Sequence, residues 1–261
     1  MEPAGLENTT GFECYVNSCL QVMKCILQSL QIQDGYVNDS LVEGDLTKIL
    51  FNNDLIYLKK RLAQYDSFFS CKYEESVFIC FKKIFNILHK GTERNSRSLT
   101  NMFCLEKSFK CRCNSSSEMS YFIVIEPGPI ESSNSINDLL RIKFNSELFN
   151  RKCSFCNSKI EVYLKQTPKV LIIIINRSSL EFINGKNTTK ILMDQFLILK
   201  NLRYELKCAV YHHGTTPTSG HFTCRVSYPS GTYICDDKDV AKTDKMSGVS
   251  DEVLILFYCQ Q

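Results

Sequence analysis

The sequence predicts an α+β fold, because helical and strand patterns occupy different parts of its 261 residues. Apolar residues recur at spacings of three and four through roughly the first 95 residues, a pattern typical of amphipathic helices. The last third instead carries short runs rich in β-branched and aromatic residues, which are typical of strands. This length is enough for one sizeable domain with a hydrophobic core.

The helical patterns come first along the chain. One apolar face of a first helix is marked by Leu20, Met23, Leu27 and Leu30. Further helical periods cover residues 46–62, 77–88 and 136–142. A polar, charged segment at residues 92–98 separates the first part from the next. We therefore divide the single predicted domain into a helical part, 1–98, a middle part, 99–166, and a β-rich part, 167–261.

Strands are predicted from the alternation of apolar and polar residues, from runs of β-branched residues and from the turn residues between such runs. They cover residues 121–126, 160–164, 168–177, 204–211, 221–228, 233–235 and 253–258. The run 168–177 is continuously apolar in its centre, which indicates a strand buried on both faces. Asn184-Gly185 predicts a hairpin turn.

Composition excludes several classes of function. The net charge is +3 with acids and bases interspersed, so we expect no nucleic-acid partner and no membrane binding. The apolar run Val170–Ile175 is too short to cross a bilayer. The first residues do not resemble a signal peptide, so we expect an intracellular protein of the cytoplasm or nucleus. We also expect a monomer. We interpret the basic run Lys59-Lys60-Arg61 as a solvated helix face.

Cys14 is the first candidate for catalysis. A polar, glycine-containing loop leads into it, and the first helical period starts just after it. The unpaired N–H groups and the positive dipole end of a helix N-terminus favour a thiolate, which lowers the thiol pKa and makes a nucleophile. The alternative is that Cys14 is a small apolar residue that packs the start of the helix.

A histidine and two aspartates near the end of the chain could complete such a site. His221 begins a strand after a flexible loop, but His212 and His213 lie one strand earlier, and composition cannot choose among them. Asp236 could fix the tautomer of a catalytic histidine. In the alternative interpretation, Asp236 and Asp237 only form a polar turn.

The 14 cysteines include two close pairs, Cys111-x-Cys113 and Cys153-x-x-Cys156, separated by 39 residues. Without an export signal we expect reduced thiols, and two such pairs suggest a structural zinc site with four thiolate ligands. The second pair has the usual spacing, whereas the first has only one intervening residue. The alternative is a site that has lost its zinc and kept its cysteines for packing.

The chain resembles the ubiquitin-specific proteases. Their cysteine box, Gly-Leu-x-Asn-x-Gly-Asn-Thr-Cys-Tyr-x-Asn-Ser-x-Leu-Gln, is matched with one insertion. The matching residues are Gly5, Leu6, Asn8, Gly11, Cys14, Tyr15, Asn17, Ser18, Leu20 and Gln21. Gly220-His221-Phe222 resembles the family's Gly-His-Tyr box, and Asp236-Asp237 resembles its Phe-(Asn/Asp)-Asp. The resemblance implies a papain-like cysteine peptidase with a helical thumb, a β palm and zinc-ribbon-like fingers.

The resemblance also implies an activity and residue roles. The activity is hydrolysis of the isopeptide or peptide bond after the C-terminal glycine of ubiquitin. The implied catalytic residues are Cys14 as nucleophile, His221 as base, Asp236 as its orienting partner, Asp237 beside it, and Asn8 as oxyanion donor. The implied substrate-binding residues are Glu74, for the basic ubiquitin tail, and Phe222. The implied zinc ligands are Cys111, Cys113, Cys153 and Cys156.

Three departures from the family pattern keep alternatives open. Asn8 lies six residues before Cys14 instead of five, and Phe12-Glu13 replaces Asn-Thr. A carboxylate at Glu13 would oppose thiolate formation unless it points to solvent. The stretch around Glu74 matches the family's tail-binding box poorly, so Glu74 could simply favour a helix start. The alternatives are a protease for a ubiquitin-like modifier and a catalytically silent ubiquitin-binding scaffold.

Overall fold

The computed structural model describes residues 2–31, 41–52, 54–91, 102–127, 135–149, 152–178, 185–216 and 219–261. The α-helices that lie wholly in the described residues before the first strand are α1 (Cys14–Ser29), α2 (Val42–Phe51), α3 (Leu55–Tyr65) and α4 (Val77–Gly91). A short 3-10 helix, Ser67–Ser70, follows α3, and α5 (Ile136–Phe149) lies in the middle part. None of the described helices is both long and apolar enough to cross a membrane.

Thirteen strands are found in the described residues. The first five are β1 (Leu105–Lys110), β2 (Ser115–Ser120), β3 (Ile123–Ile125), β4 (Glu161–Gln166) and β5 (Val170–Ile175). The next four are β6 (Ile191–Met193), β7 (Phe196–Leu199), β8 (Leu202–His213) and β9 (His221–Tyr228). The last four are β10 (Gly231–Asp236), β11 (Asp239–Thr243), β12 (Gly248–Ser250) and β13 (Val253–Gln260).

One large sheet organises the β-rich part, with strand order β11-β10-β9-β8-β13-β5-β3 and β7 paired to β8. All its pairings are antiparallel except that of β3 with β5. All six residues of β5 are buried, as the continuous apolar run predicted. β6 and β12 form a separate two-stranded sheet.

The two faces of the large sheet belong to two apolar clusters. Phe222, Cys224 and Val226 of β9 share a cluster with the buried side of α1 and with α4. The other cluster joins the opposite face of the sheet to α5, β3 and β6. Alternate residues of a strand point to opposite faces. Phe222 therefore faces α1, whereas His221 and Thr223 project toward the other side.

The segment 46–62 is two helices and not the continuous one that its period predicts. α2 ends at Phe51, and the Asp54 carboxylate accepts a hydrogen bond from the Tyr57 N–H at 3.0 Å, which caps the start of α3. The predicted helices in residues 77–88 and 136–142 are confirmed, and both extend further. The predicted separator at residues 92–98 and Asn184 of the predicted hairpin turn lie outside the described residues.

The middle part contributes to two different sheets. β2, β1 and β4 form a three-stranded antiparallel sheet. The two cysteine pairs lie in the segments that follow β1 and precede β4. β3 instead joins the large sheet beside β5, and α5 packs on that sheet's second cluster. The boundaries at 98 and 166 stay predictions. Only part of the segment between them forms the three-stranded sheet.

Candidate active site

Cys14 is the first residue of α1 and is 3% exposed. Burial raises the pKa of its thiol, while the backbone N–H groups of Phe222 and Tyr15 lower it. The negative charges of Asp237 and Glu74 add to the increase. The helix start was expected to lower this pKa, and the net direction is the opposite. Loss of hydration and two nearby carboxylates outweigh the helix N-terminus.

The direction of this shift gives a prediction for the free protein. Only the thiolate reacts with iodoacetamide, so the alkylation rate of Cys14 should rise about tenfold per pH unit and keep rising above about pH 8.5. Peptide mass spectrometry can follow Cys14 separately from the other thiols, with free cysteine as reference. A rate that levels off below pH 7 would contradict the raised pKa and would indicate a thiolate already stabilised by a cation.

His221 is paired with Asp236. Its Nε2 lies 2.6 Å from Oδ1 of Asp236, which fixes that nitrogen toward the carboxylate. Nδ1 is left without a partner in the part of the chain that the structure describes, and it is the atom that can receive the proton of Cys14. The same region contains no hydrogen bond between the Cys14 thiol and the His221 ring. Catalytic hydrogen bonds commonly tighten only when substrate is bound.

The two other candidate histidines have different environments. His213 contacts Glu252 through Nδ1 at 2.9 Å and Thr223 through Nε2 at 2.8 Å, so both of its ring nitrogens are occupied. His212 is 2% exposed, and burial lowers its pKa to about 4. A base for Cys14 needs a free ring nitrogen that can take up a proton. Both nitrogens of His213 are occupied, and His212 is buried with a lowered pKa, so His221 is the candidate base.

Asp237 holds the loop before Cys14. Its two carboxylate oxygens accept hydrogen bonds from Nδ2 of Asn8 and Nδ2 of Asn17, each at 2.7 Å. Its backbone carbonyl accepts the Leu6 N–H at 2.9 Å, and its own φ of 50° lies in the left-handed region. Asp237 therefore ties the end of β10 to both the loop and α1, whereas Asp236 serves His221.

Glu13 has a partner that the sequence did not indicate. It is 8% exposed, so it does not point to solvent. Its Oε2 instead pairs with Nζ of Lys59 at 2.8 Å and accepts the Thr9 N–H at 2.7 Å. The interpretation of Lys59 as part of a solvated face is therefore wrong for this residue, whose side chain is 15% exposed, although Lys60 is exposed.

The two predicted substrate contacts are placed differently. Glu74 is exposed three residues before α4, and its charge acts on the Cys14 thiol, so it lies on the side of the nucleophile. The Phe222 ring is 7% exposed and packs against His212 at a centroid distance of 4.7 Å. What Phe222 offers the site is its backbone N–H, because its ring belongs to the core.

The four predicted zinc ligands converge at one end of the three-stranded sheet β2-β1-β4. Their sulfur atoms all lie within 4.8 Å of one another. Sγ of Cys113 is 3.5 Å from Sγ of Cys111 and 3.6 Å from Sγ of Cys153. Four sulfurs bound tetrahedrally at about 2.3 Å would be separated by about 3.8 Å, so the cluster fits zinc. The side-chain and backbone donors of Ser158 lower the pKa of Cys156 to about 6.

A comparison of the whole sequence with known families bears directly on this arrangement. A family model described as ubiquitin carboxyl-terminal hydrolase matches residues 4–258. The chain belongs to the ubiquitin carboxyl-terminal hydrolase family. The predicted resemblance of the chain to the ubiquitin-specific proteases is confirmed.

Relatives within the hydrolase family are distant and longer. The chain is 24% identical over 302 residues to ubiquitin carboxyl-terminal hydrolase 17-like protein C of Mus musculus, covering 98% of this chain and 54% of that protein. It is 26% identical over 174 residues to ubiquitin carboxyl-terminal hydrolase 25 of Arabidopsis thaliana, covering 59% of this chain and 26% of that protein. The chain thus spans about half the length of the mouse relative.

Solved structures agree on the fold. A chain in a SAGA DUB module of Ubp8, Sgf11, Sus1 and Sgf73 bound to monoubiquitin matches with a TM-score of 0.73 and 18% identity, covering 99% of this chain and 69% of that chain. A yeast SAGA DUB module gives a TM-score of 0.70 at 20% identity, covering 99% and 68%. The predicted fold class, a papain-like peptidase of the ubiquitin-specific protease type, is confirmed.

Two residues of this hydrolase site could not be assigned a role from sequence. Asn17 matches the cysteine box, but the pattern does not say that its amide reaches Asp237, 220 positions away. Lys59 lies outside the family's sequence motifs, and a lysine on a helix face is usually solvated. Its partner Glu13 was noticed only as a charge beside the nucleophile. The pairing depends on where α3 packs, which the sequence pattern alone does not determine.

Proposed function

We propose that the chain is a thiol-dependent deubiquitinase that hydrolyses the isopeptide or peptide bond after the C-terminal glycine of ubiquitin. The observation that carries this proposal is the His221–Asp236 pair at 2.6 Å, with Nδ1 left for Cys14 at the start of α1. Membership of the ubiquitin carboxyl-terminal hydrolase family supplies the substrate class. The matched module bound to monoubiquitin supports the same choice of modifier.

The residues perform this reaction in two stages. Cys14 gives its proton to Nδ1 of His221, and its sulfur attacks the carbonyl carbon of the last glycine. His221 then donates that proton to the departing amine, which leaves a thioester on Cys14. In the second stage His221 takes a proton from water, the hydroxide attacks the thioester, and the proton returns to Cys14. Asp236 stabilises the imidazolium that forms in each stage.

The oxyanion of each tetrahedral intermediate needs N–H donors. One N–H of the Asn8 Nδ2 goes to Asp237, and the amide has a second N–H to offer. Oδ1 of Asn8 accepts the Glu13 N–H at 3.0 Å, which fixes the orientation of this amide. We assign the second N–H of Asn8 to the oxyanion, although the loop is one residue longer than in the family pattern.

The choice of ubiquitin over a related modifier depends on recognition of its basic tail. Glu74 is the exposed carboxylate that acts on the nucleophile, and we propose that it binds this tail. We expect cleavage of a ubiquitin C-terminal fluorogenic amide, and a reduction of kcat/KM of about tenfold in Glu74→Lys, mainly through KM. Glu75→Lys, one position along, serves as the matched control and should change little.

Substrates built from several modifiers separate the candidate functions. Cleavage of the ubiquitin substrate supports the proposal, whereas cleavage of a ubiquitin-like substrate alone would replace ubiquitin by that modifier. Tight ubiquitin binding without any cleavage would favour the silent scaffold. The raised pKa of Cys14 is the observation that keeps this last candidate in the comparison.

We propose that Cys111, Cys113, Cys153 and Cys156 hold a structural zinc ion. Their fit to a tetrahedral thiolate site supports this assignment, and the ion's role is to hold the two loops together.

Native mass spectrometry should find one zinc per chain. Cys153→Ser should release it and lower the melting temperature by several degrees. Cys104→Ser, a buried cysteine outside the cluster, is the control. A metal-free native protein of equal stability would contradict the assignment.

We also propose an intracellular location, supported by 14 cysteines that are all free.

The absence of nucleic-acid and membrane partners stays a prediction from the charge pattern. The predicted monomer is likewise untested, and the matched modules are described with three further proteins, Sgf11, Sus1 and Sgf73. Light scattering of the purified chain measures its own oligomeric state.

A further inference from the structure

The loop before the nucleophile is closed by an ion pair that the catalytic steps do not use. Glu13 immediately precedes Cys14, and its carboxylate bends back over its own loop. Oε2 accepts the Thr9 N–H at 2.7 Å, and Oε1 accepts the Thr9 hydroxyl at 3.1 Å. Lys59 of α3 completes the set, with its Nζ 2.8 Å from Oε2. We call Thr9, Glu13 and Lys59 the loop clasp.

The Glu13–Lys59 pair of the loop clasp is largely enclosed, which distinguishes it from a surface ion pair, although Thr9 itself is exposed. The Glu13 and Lys59 side chains are 10% and 15% exposed, respectively. Lys59 Nζ also donates to the backbone carbonyl of Glu7, so one ammonium group joins both ends of the loop to α3. Exposed pairs contribute little, whereas removal of one partner from an enclosed pair leaves an unpaired charge.

The clasp acts on the residue that we assign to the oxyanion. Asn8 lies between Glu7 and Thr9, both of which the clasp holds. Oδ1 of Asn8 accepts the Glu13 N–H at 3.0 Å, and its Nδ2 donates to Asp237 at 2.7 Å. The position of the Asn8 amide is therefore set from two sides, by β10 through Asp237 and by α3 through the clasp.

The clasp also compensates the charge that Glu13 brings next to the nucleophile. Asp237 and Glu74 are the carboxylates that contribute most to the raised pKa of the Cys14 thiol. The carboxylate of Glu13, which is adjacent to Cys14 in sequence, is bonded to Thr9 and paired with Lys59, which neutralises its charge. Without Lys59 the site would contain a third negative charge, which disfavours the thiolate.

We infer that Lys59 is a positioning residue of the active site: through Glu13 and Thr9 it holds the loop that carries Asn8, and it neutralises the Glu13 charge next to Cys14. This role rests on the proposed function, because it concerns the same nucleophile and the same oxyanion. It also accounts for how a loop with one extra residue and an acid before the cysteine can remain compatible with catalysis.

The test compares Lys59→Met with the double variant Glu13→Gln, Lys59→Met. Lys59→Met should lower kcat for a ubiquitin C-terminal amide about tenfold with little change in KM. It should also raise the pKa of Cys14 alkylation by about one unit. In the double variant the amide that replaces the Glu13 carboxylate is neutral and keeps an acceptor for Thr9. The alkylation pKa should therefore return to the wild-type value, and kcat should largely recover.

Two controls separate this role from general stability. Lys60→Met changes the exposed neighbour on α3 and should leave kcat, KM and the alkylation pKa unchanged. Thermal unfolding of each variant identifies losses that come from a damaged fold. Since alkylation needs no ubiquitin, it tests the clasp even if the protein fails to cleave ubiquitin, so the two failures are distinguishable.

The inference is overturned if folded Lys59→Met keeps the wild-type kcat and alkylation pKa. It is also overturned if the double variant has the same shifted alkylation pKa as Lys59→Met, because the shift then cannot come from the Glu13 charge. Recovery of the alkylation pKa in the double variant, together with unchanged values in Lys60→Met, supports it.

Discussion

Cys14→Ala should reduce cleavage of a ubiquitin C-terminal amide by about 10⁵-fold or more, while the dissociation constant for ubiquitin changes by less than about threefold. The nucleophile is the group that forms the thioester, so its loss removes the covalent route altogether. The side chain is 3% exposed at the start of α1, so alanine replaces it with little change to the surface that ubiquitin would contact. Steady-state kinetics and calorimetric titration measure the two quantities.

A second cysteine of the same helix provides the control for this substitution. Cys25 is fully buried on α1, and Cys25→Ala should cost stability through a small cavity while turnover stays close to wild type. Residual turnover of Cys14→Ala near the wild-type rate would end the proposed mechanism. Loss of ubiquitin binding in a folded Cys14→Ala protein would show that the thiol contributes to affinity, which the mechanism does not require.

His221→Ala should lower kcat by about 10³-fold, the second-largest effect expected. The substitution removes the base that accepts the Cys14 proton and the acid that returns it to the leaving amine. The ring is 40% exposed and its hydrogen bond in the described chain is to Asp236, so the fold should survive its loss. Kinetics of the ubiquitin amide, with melting temperature as a check on folding, measure the effect.

His213→Ala is the matched control, because the two rings are stacked with centroids 6.3 Å apart. His213 has both ring nitrogens engaged, by Glu252 and Thr223, and should therefore not act as the base. We expect a loss of less than about fivefold from small shifts of β8. A 10³-fold loss in His213→Ala with near-normal turnover in His221→Ala would assign the base to His213 instead.

Much of the fold follows from local pattern. α4 and β5 have clear periods, 3.6 for an amphipathic helix and an unbroken apolar run for a buried strand, and both form as predicted. The break between α2 and α3 was missed, because the apolar period continues across it while Asp54 starts a new helix. Short edge elements such as β11 and β12 were also missed, since their few residues carry no distinct period.

The candidate site could be predicted only where a box marks it. Cys14, His221 and Asp236 follow from their boxes, and the structure pairs the last two directly. The direction of the Cys14 pKa shift could not be predicted, because it depends on burial and on the approach of Asp237 and Glu74 in space. The pairing of Glu13 with Lys59 was missed for the same reason, since it joins a loop to a helix 46 positions away.

Two carboxylates act on the thiol of the candidate nucleophile. Asp237 and Glu74 both raise the pKa of the Cys14 thiol and so disfavour its thiolate. A basic ubiquitin tail bound at Glu74 would offset one of these charges. Under the proposed function, binding of this tail at Glu74 would therefore favour the thiolate.

The most direct test of the central claim is incubation of the purified chain with ubiquitin that carries a C-terminal electrophile, followed by intact mass spectrometry. The proposed function predicts an increase in mass equal to one ubiquitin probe, located at Cys14 by peptide mapping and absent in Cys14→Ala. A demonstrably folded chain that forms no adduct, or forms one at another cysteine, would contradict the assignment of Cys14 as the nucleophile of a deubiquitinase.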